Sequence, residues 1–140
     1  MSDNKLKQIP DQIGYYFAGF VDGEGSFNVS LRQKQDYKQK WQICPSFNVS
    51  QKDKTILALM KQWFGCGQIK FRQDGLYMYE VNNYHMINNL VIPFFKKFNF
   101  LSANKKKKFS IFKQIIELMN KNEHLSKKGI QEILILREEL

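Results

Sequence analysis

At 140 residues, with 43% hydrophobic and 14% aromatic content, the chain is long enough for one domain that buries a sizeable core, which excludes a disordered tail. No apolar run approaches the roughly 20 residues needed to cross a bilayer, and the start, MSDNKLKQIP, lacks the apolar segment of a secretory signal. A formal charge of +9 favours a polyanionic partner but does not by itself separate nucleic acid from a membrane surface.

Only three of the 22 basic residues are arginine, so the charge is mostly lysine, which suits phosphate contact better than bidentate base reading. Cys44 and Cys66 lack metal-ligand spacing and read as small, semi-buried thiols of a reducing interior.

In chain order, Asp11 after Pro10 predicts an N-cap and a helix to about Val21. Gly14, Ala18 and Gly19 are unusual within it, and Gly14 and Ala18 share a face on which another backbone can approach closely. Two alternating runs follow. In SFNVSLRQK, Phe27, Val29 and Leu31 oppose Asn28, Ser30, Arg32 and Lys34. In KWQICPSFNV, Trp41, Ile43, Phe47 and Val49 oppose Lys40, Gln42, Cys44, Ser46 and Asn48. Both predict half-buried strands. Pro45 predicts an edge strand or a bulge, because it cannot donate to a ladder.

A helix from Lys52 or Asp53 to Phe64 carries Ile56, Leu57, Met60 and Phe64 at helical spacing. QIKFRQDGLYMYEV predicts a hairpin turning at Asp74-Gly75. Its first strand alternates, while in the second Leu76, Tyr77, Met78 and Tyr79 suit either side. Tyr84 to Phe98 reads as helix, interrupted or restarted at Pro93. A long amphipathic helix covers Asn104 to Asn120, and Ser126 caps a last helix to about Glu139. One domain, residues 1–140, thus has the order α-β-β-α-β-β-α, with a core over about 11–120 and a C-terminal helix over about 126–139. The fold class is α+β with a four-stranded antiparallel sheet.

Helices on one face of such a sheet leave the other open. That face carries Arg32, Lys34, Gln42, Asn48, Gln68, Lys70 and Arg72, with Asn28, Ser30, Lys38, Lys40, Cys44 and Tyr77 as further candidates. Arg, Lys, Asn and Gln are the side chains that pair with base edges, and lysine also meets phosphate. His85 and His124 have no second histidine at ligand spacing, so a histidine-metal nuclease is unsupported.

The stretch FAGFVDGEGSF, Phe17 to Phe27, resembles the LAGLIDADG signature of homing endonucleases, with Phe17 for the leading Leu and Glu24 for the commoner Asp. The likeness extends through FNVSQKD, the GCG before the hairpin, IPFF, KKKKFSIFKQIIELM and HLSKKGIQEIL. The resemblance implies the αββαββα fold of that family and its single-motif, homodimeric branch, with Gly14, Ala18, Gly19 and Asp22 at the two-fold seam, Asp22 serving in helix-end hydrogen bonding or local support rather than as a metal ligand. It implies a site-specific double-strand DNA endonuclease that hydrolyses phosphodiesters with Mg²⁺, Mn²⁺ being a possible substitute. Glu24 would be the metal-holding acid and the Gly23 carbonyl a further ligand.

Gln51 would orient solvent, and Lys105, or Lys107 in a shifted register, would stabilise phosphate charge or polarise the water. The further basic residue of some relatives matches near Thr55, so it is missing or supplied by Lys52 or Lys54. A nine-residue strand spans about 30 Å, so two symmetry-related sheets would cover roughly 18–20 base pairs of a pseudo-palindromic target. The resemblance also implies a gene within a mobile intron or similar element, and an intracellular enzyme of an organelle or a bacterial cell. The alternative is an RNA-binding intron maturase on the same fold, which needs no metal-holding acid.

Overall fold

A computed structural model describes residues 3–37 and 40–140. A short helix that the sequence pattern does not signal, α1 (Asp3–Lys7), precedes α2 (Asp11–Glu24). Asp11 is the first residue of α2 rather than its cap. Pro10 occupies the cap position at φ −61°, with no side-chain hydrogen bond. The helix also runs past Val21 to Glu24, and its end is closed by the Gly25 N–H donating to the Val21 carbonyl.

Strand β1 (Gly25–Gln33) therefore starts with no connecting loop. A Cβ at Gly25 would lie 2.5 Å from the Val21 side chain and 2.9 Å from its carbonyl oxygen, so the absence of a side chain permits this junction.

β2 (Trp41–Gln51), α3 (Thr55–Phe64), β3 (Gln68–Phe71) and β4 (Tyr77–Val81) complete an antiparallel sheet of order β1-β2-β4-β3. The β1–β2 ladder keeps one register throughout, from Gly25 opposite Val49 to Gln33 opposite Trp41, so there is no bulge. β2 is an inner strand, but β4 pairs only with Phe47 to Gln51. At Pro45 the strand has β1 alone beside it, and the missing N–H leaves no ladder bond unmade. The gap next to this free half of β2 is a cleft of about 830 Å³ bordered by Trp41, Pro45, Tyr84 and His124.

The β3–β4 hairpin turns through residues 72–76 with Gly75 at φ 88°. Its register puts Tyr77, Tyr79 and Val81 on the helix-packed side and Met78 and Glu80 on the open side.

Tyr84–Met86 (α4), a π-helical turn at Ile87–Val91 and Ile92–Lys97 (α5) form one helical segment, and Pro93 sits at its restart, in the first turn of α5. It leads to α6 (Ala103–Asn120) and, after a 3₁₀ turn at Glu123–Leu125, to α7 (Lys127–Arg137), capped by Ser126 accepting from Gly129 N–H. These helices cover one sheet face. Phe27 lies at the centre of the core, its ring centroid 5.0–6.1 Å from those of Phe47, Phe95, Phe100, Phe109 and Phe112. Its contacts join β1, β2, α5 and α6 in one aromatic cluster. Both cysteines are free, Cys44 half-buried and Cys66 buried. Among the described residues no helix is long and apolar enough to cross a membrane.

One carboxylate ties the end of α2 to the start of α6. Asp22 accepts from the Leu101 N–H at 3.0 Å and the Ser102 N–H at 3.1 Å, and from the Ser102 hydroxyl. Partial burial alone would raise its pKa. The bonds from Ser102 and Leu101, with Lys105 nearby, outweigh that and hold it below the ordinary carboxylate value. Ser102 in turn caps α6 by accepting from the Lys105 N–H at 3.2 Å.

Two tests follow from these contacts. A Cβ at Gly14 would lie 2.2 Å from the Phe98 ring, which is itself held by Phe94 and Tyr15. Gly14→Ala is therefore expected to lower stability by about 1–3 kcal/mol in urea unfolding, despite alanine's helix advantage. The loss should shrink when Phe98→Leu is added. The depressed Asp22 pKa stabilises the fold above the unfolded carboxylate pKa, and this contribution disappears as pH falls through the folded value. Asp22→Asn should lower Tm near neutral pH and flatten its fall at acid pH, measured by thermal melts across that range.

Candidate active site and nucleic-acid interface

Glu24 is the last residue of α2, exposed, and among the described residues neither a hydrogen bond nor an ion pair engages its carboxylate. Gly23 beside it is exposed, and a Cβ there would meet nothing within 4 Å. The helix C-terminus thus presents a free carboxylate next to an open stretch of backbone.

Two other candidates converge on the same end of the sheet. Lys105 donates its Nζ to the Gly25 carbonyl, one residue from Glu24. Burial holds its ammonium below the ordinary lysine range; Lys108 adds to this and Asp22 opposes it. β2 runs two residues beyond the start of β1, so Gln51 lies at the α2 end of the sheet. Gln51 is half-buried, and its Oε1 accepts from the Lys52 N–H at 3.0 Å. Lys105 to Lys108 occupy the first two turns of α6, where cations oppose the helix dipole and no acid compensates. Helix stability does not favour that run, which marks it as serving something else. Near Thr55, Lys52 is exposed and the Lys54 ammonium lies 5.8 Å from the Tyr77 ring centroid.

Hard oxygen donors, a carboxylate and a backbone carbonyl, are the donor type that Mg²⁺ accepts. Among the described residues no group of three or more His, Cys, Asp or Glu surrounds a common point.

The open face is a pleated row of polar side chains. Across it run Ser26, Asn48, Glu80 and Gln68, each opposite the next on neighbouring strands. Asn28 donates to Ser26 Oγ at 2.8 Å and Asn48 to Ser46 Oγ at 3.2 Å. Ser30 donates to the Cys44 carbonyl at 3.3 Å, and Arg72 to Ser50 Oγ at 3.1 Å. Arg32 lies opposite Gln42 at the far end, and Lys70 lies opposite Met78. Lys34 and Lys40 stand beyond the strands at the hairpin tip, the Lys34 N–H donating to the Lys40 carbonyl at 3.0 Å. Lys38 lies outside the described residues.

Several sequence-based placements require correction. Tyr77 is opposite Gln51 and Phe71 on the packed side, its ring 5.0 Å from that of Phe71, because the hairpin register fixes its facing. Gly14 and Ala18 are buried within the chain, Gly14 under Phe98, and form no outer seam. Asp22 is engaged by Ser102 instead of facing outward. The exposed strip of α2 is Gln12, Tyr16, Gly19 and Gly23, with Tyr15 beside it; Tyr15 and Tyr16 are 56% and 61% exposed. Of the residues the sequence reading placed at a seam, only Gly19 lies on this exposed strip. Ser102, Ser50 and Glu80 were missed. Ser102 had a signal, a capping serine three residues before Lys105; the others needed the strand register.

Residues 17–116 match the family model described as LAGLIDADG endonuclease. The chain is 35% identical over 129 residues to a probable intron-encoded endonuclease 2 of Neurospora crassa, covering 89% of this chain and 28% of that protein. It is 29% identical to the homing endonuclease I-TnaI, with a TM-score of 0.86 and coverage of 94% of this chain and 88% of that one. It is 31% identical to I-SmaMI bound to uncleaved DNA target in the presence of calcium ions, with a TM-score of 0.85, covering 89% of this chain and 43% of that one. The chain spans between about a quarter and three-fifths of the curated relatives it matches best. With the motif helix, the one-sided sheet and the family match in place, the chain belongs to the LAGLIDADG endonuclease family.

Proposed function

We propose that this chain is a homodimeric, site-specific double-strand DNA endonuclease whose open sheet face lies along the duplex and whose Glu24 acts at the scissile phosphates. The observation that carries this reading is the position of Glu24: a free carboxylate at the end of the exposed α2 strip, beside Lys105 and at one end of a polar and basic sheet. A carboxylate cannot approach a phosphodiester without a cation between them, so the acid implies a divalent metal, Mg²⁺ by donor type. Bound there, such a metal would lower the pKa of water and neutralise charge on the leaving oxygen. Glu24 and the Gly23 carbonyl are the residues that would hold it.

The chain's own groups account for the remaining roles. Lys105, anchored on the Gly25 carbonyl and set in place by the Asp22–Ser102 contact, brings positive charge to the phosphate. Partial desolvation strengthens that charge as an electrostatic contact. Gln51 keeps its amide nitrogen for water while its oxygen is engaged by Lys52. The face from Asn28 to Arg32 and from Gln42 to Asn48, with Gln68, Lys70 and Arg72, reads bases and meets phosphates.

A dimer is supported by the exposed α2 strip, where Gly19 and Gly23 leave room for a second backbone.

The decisive measurement is cleavage of a library of randomised duplexes in Mg²⁺ and in Ca²⁺. Wild type is expected to cut a narrow set of sequences with Mg²⁺ and to bind without cutting in Ca²⁺. Glu24→Gln should bind the selected duplex and fail to cut it; cleavage at the wild-type rate would overturn the assignment. Lys105→Met should slow cleavage on the order of a hundredfold with little change in affinity. Gly19→Trp should give the mass of one chain by light scattering and abolish double-strand cutting; a cutting variant with wild-type mass would refute the seam.

A further inference from the structure

The four strands hold one acidic residue, Glu80, and it lies on the open face. It is also the only charged or polar side chain in the buried class among the described residues, 7% exposed. A carboxylate on a surface that meets a polyanion opposes binding, so Glu80 does not serve affinity. Its contacts indicate another role. Glu80 sits opposite Asn48 on β2 and Gln68 on β3, in the middle of the polar row that crosses the sheet. One oxygen, Oε1, pairs with the Lys70 ammonium and accepts from the Gln68 amide at 3.5 Å.

Those two side chains are two residues apart on β3, a four-residue edge strand. Free, Lys70 would be a flexible point charge able to settle on any phosphate. Paired, its charge is offset and its head is held over the row while its side chain stays half exposed. A lysine fixed in this way still offers donors to the O6 and N7 acceptors of guanine, and the amide beside it offers a donor and an acceptor at a set position.

We infer that Glu80 is a positioning residue for target specificity: it converts Lys70 and Gln68 from general phosphate contacts into fixed readers of one or two adjacent base pairs in each half-site. This rests on the reading of the open face as the DNA contact surface. The mechanism exchanges non-specific attraction for discrimination, so removing Glu80 should tighten binding to unrelated DNA while blurring the sequence preference.

The test compares wild type, Glu80→Gln, Lys70→Met and the double variant by selection from a randomised duplex library and by titration of salt against affinity. Glu80→Gln is expected to weaken preference about tenfold at one or two adjacent positions per half-site and leave the others intact. Its salt dependence should steepen by about one unit of slope per protomer, as the released lysine finds phosphate. Lys70→Met should remove preference at the same positions without that steepening, and adding Glu80→Gln to it should change those positions no further. Thermal destabilisation of Glu80→Gln with the base profile and salt slope of wild type would overturn the inference, as would a loss spread evenly over the target. If Glu80→Gln does not fold, Lys70→Met still decides, because full preference in that variant refutes the role. A wild-type chain that selects no duplex at all overturns the DNA reading, and this inference with it.

Discussion

The structure depends on a junction without a loop. α2 ends at Glu24 and β1 begins at Gly25, so the helix that carries the acid and the strand that opens the sheet form one rigid path. Gly25 makes the path possible by approaching Val21 more closely than a side chain allows. Asp22 then fixes α6 to the same point through three hydrogen bonds. Lys105 reaches the Gly25 carbonyl only because Ser102, three residues earlier, is held by Asp22 and caps the helix. Placing these groups on helices and strands locates them more sharply than loops would.

The sheet answers a different demand. One face is filled by helices and by the rings gathered around Phe27; the other carries the polar side chains of the four strands. Two of its amides are already bonded to neighbouring hydroxyls, Asn28 to Ser26 and Asn48 to Ser46. Less side-chain entropy then remains to be lost when a partner arrives.

Alternation in β1 and β2 made their facing readable, since Phe27, Val29, Phe47 and Val49 repeat every second residue and have only one face to fill. The resemblance at residues 17–25 brought Glu24, Gln51 and Lys105 forward, and the fold does bring these three to one end of the sheet. Facing in β4 was not readable. Tyr77 and Met78 are both amphipathic enough for either side, and only the pairing with β2 decides between them. Small residues also misled. Gly14 looked like a surface for another backbone, yet the close neighbour is Phe98 of the same chain, 84 positions away in sequence, a contact that no local pattern encodes. The length of α2 was underestimated because glycine at 19 and 23 signals helix ends, whereas tertiary contacts through Asp22 overrode that weak preference.

Pro45 sits where β2 has an open edge, with a cleft beside it instead of a second neighbouring strand. Lacking a donor there, the edge is a poor template for another strand. Side chains on the open face can be exchanged with little effect on the ladder or on the aromatic core behind it. The architecture thus separates the part that must be kept, the ladder and the aromatic core, from the part that can vary, the side chains of one face.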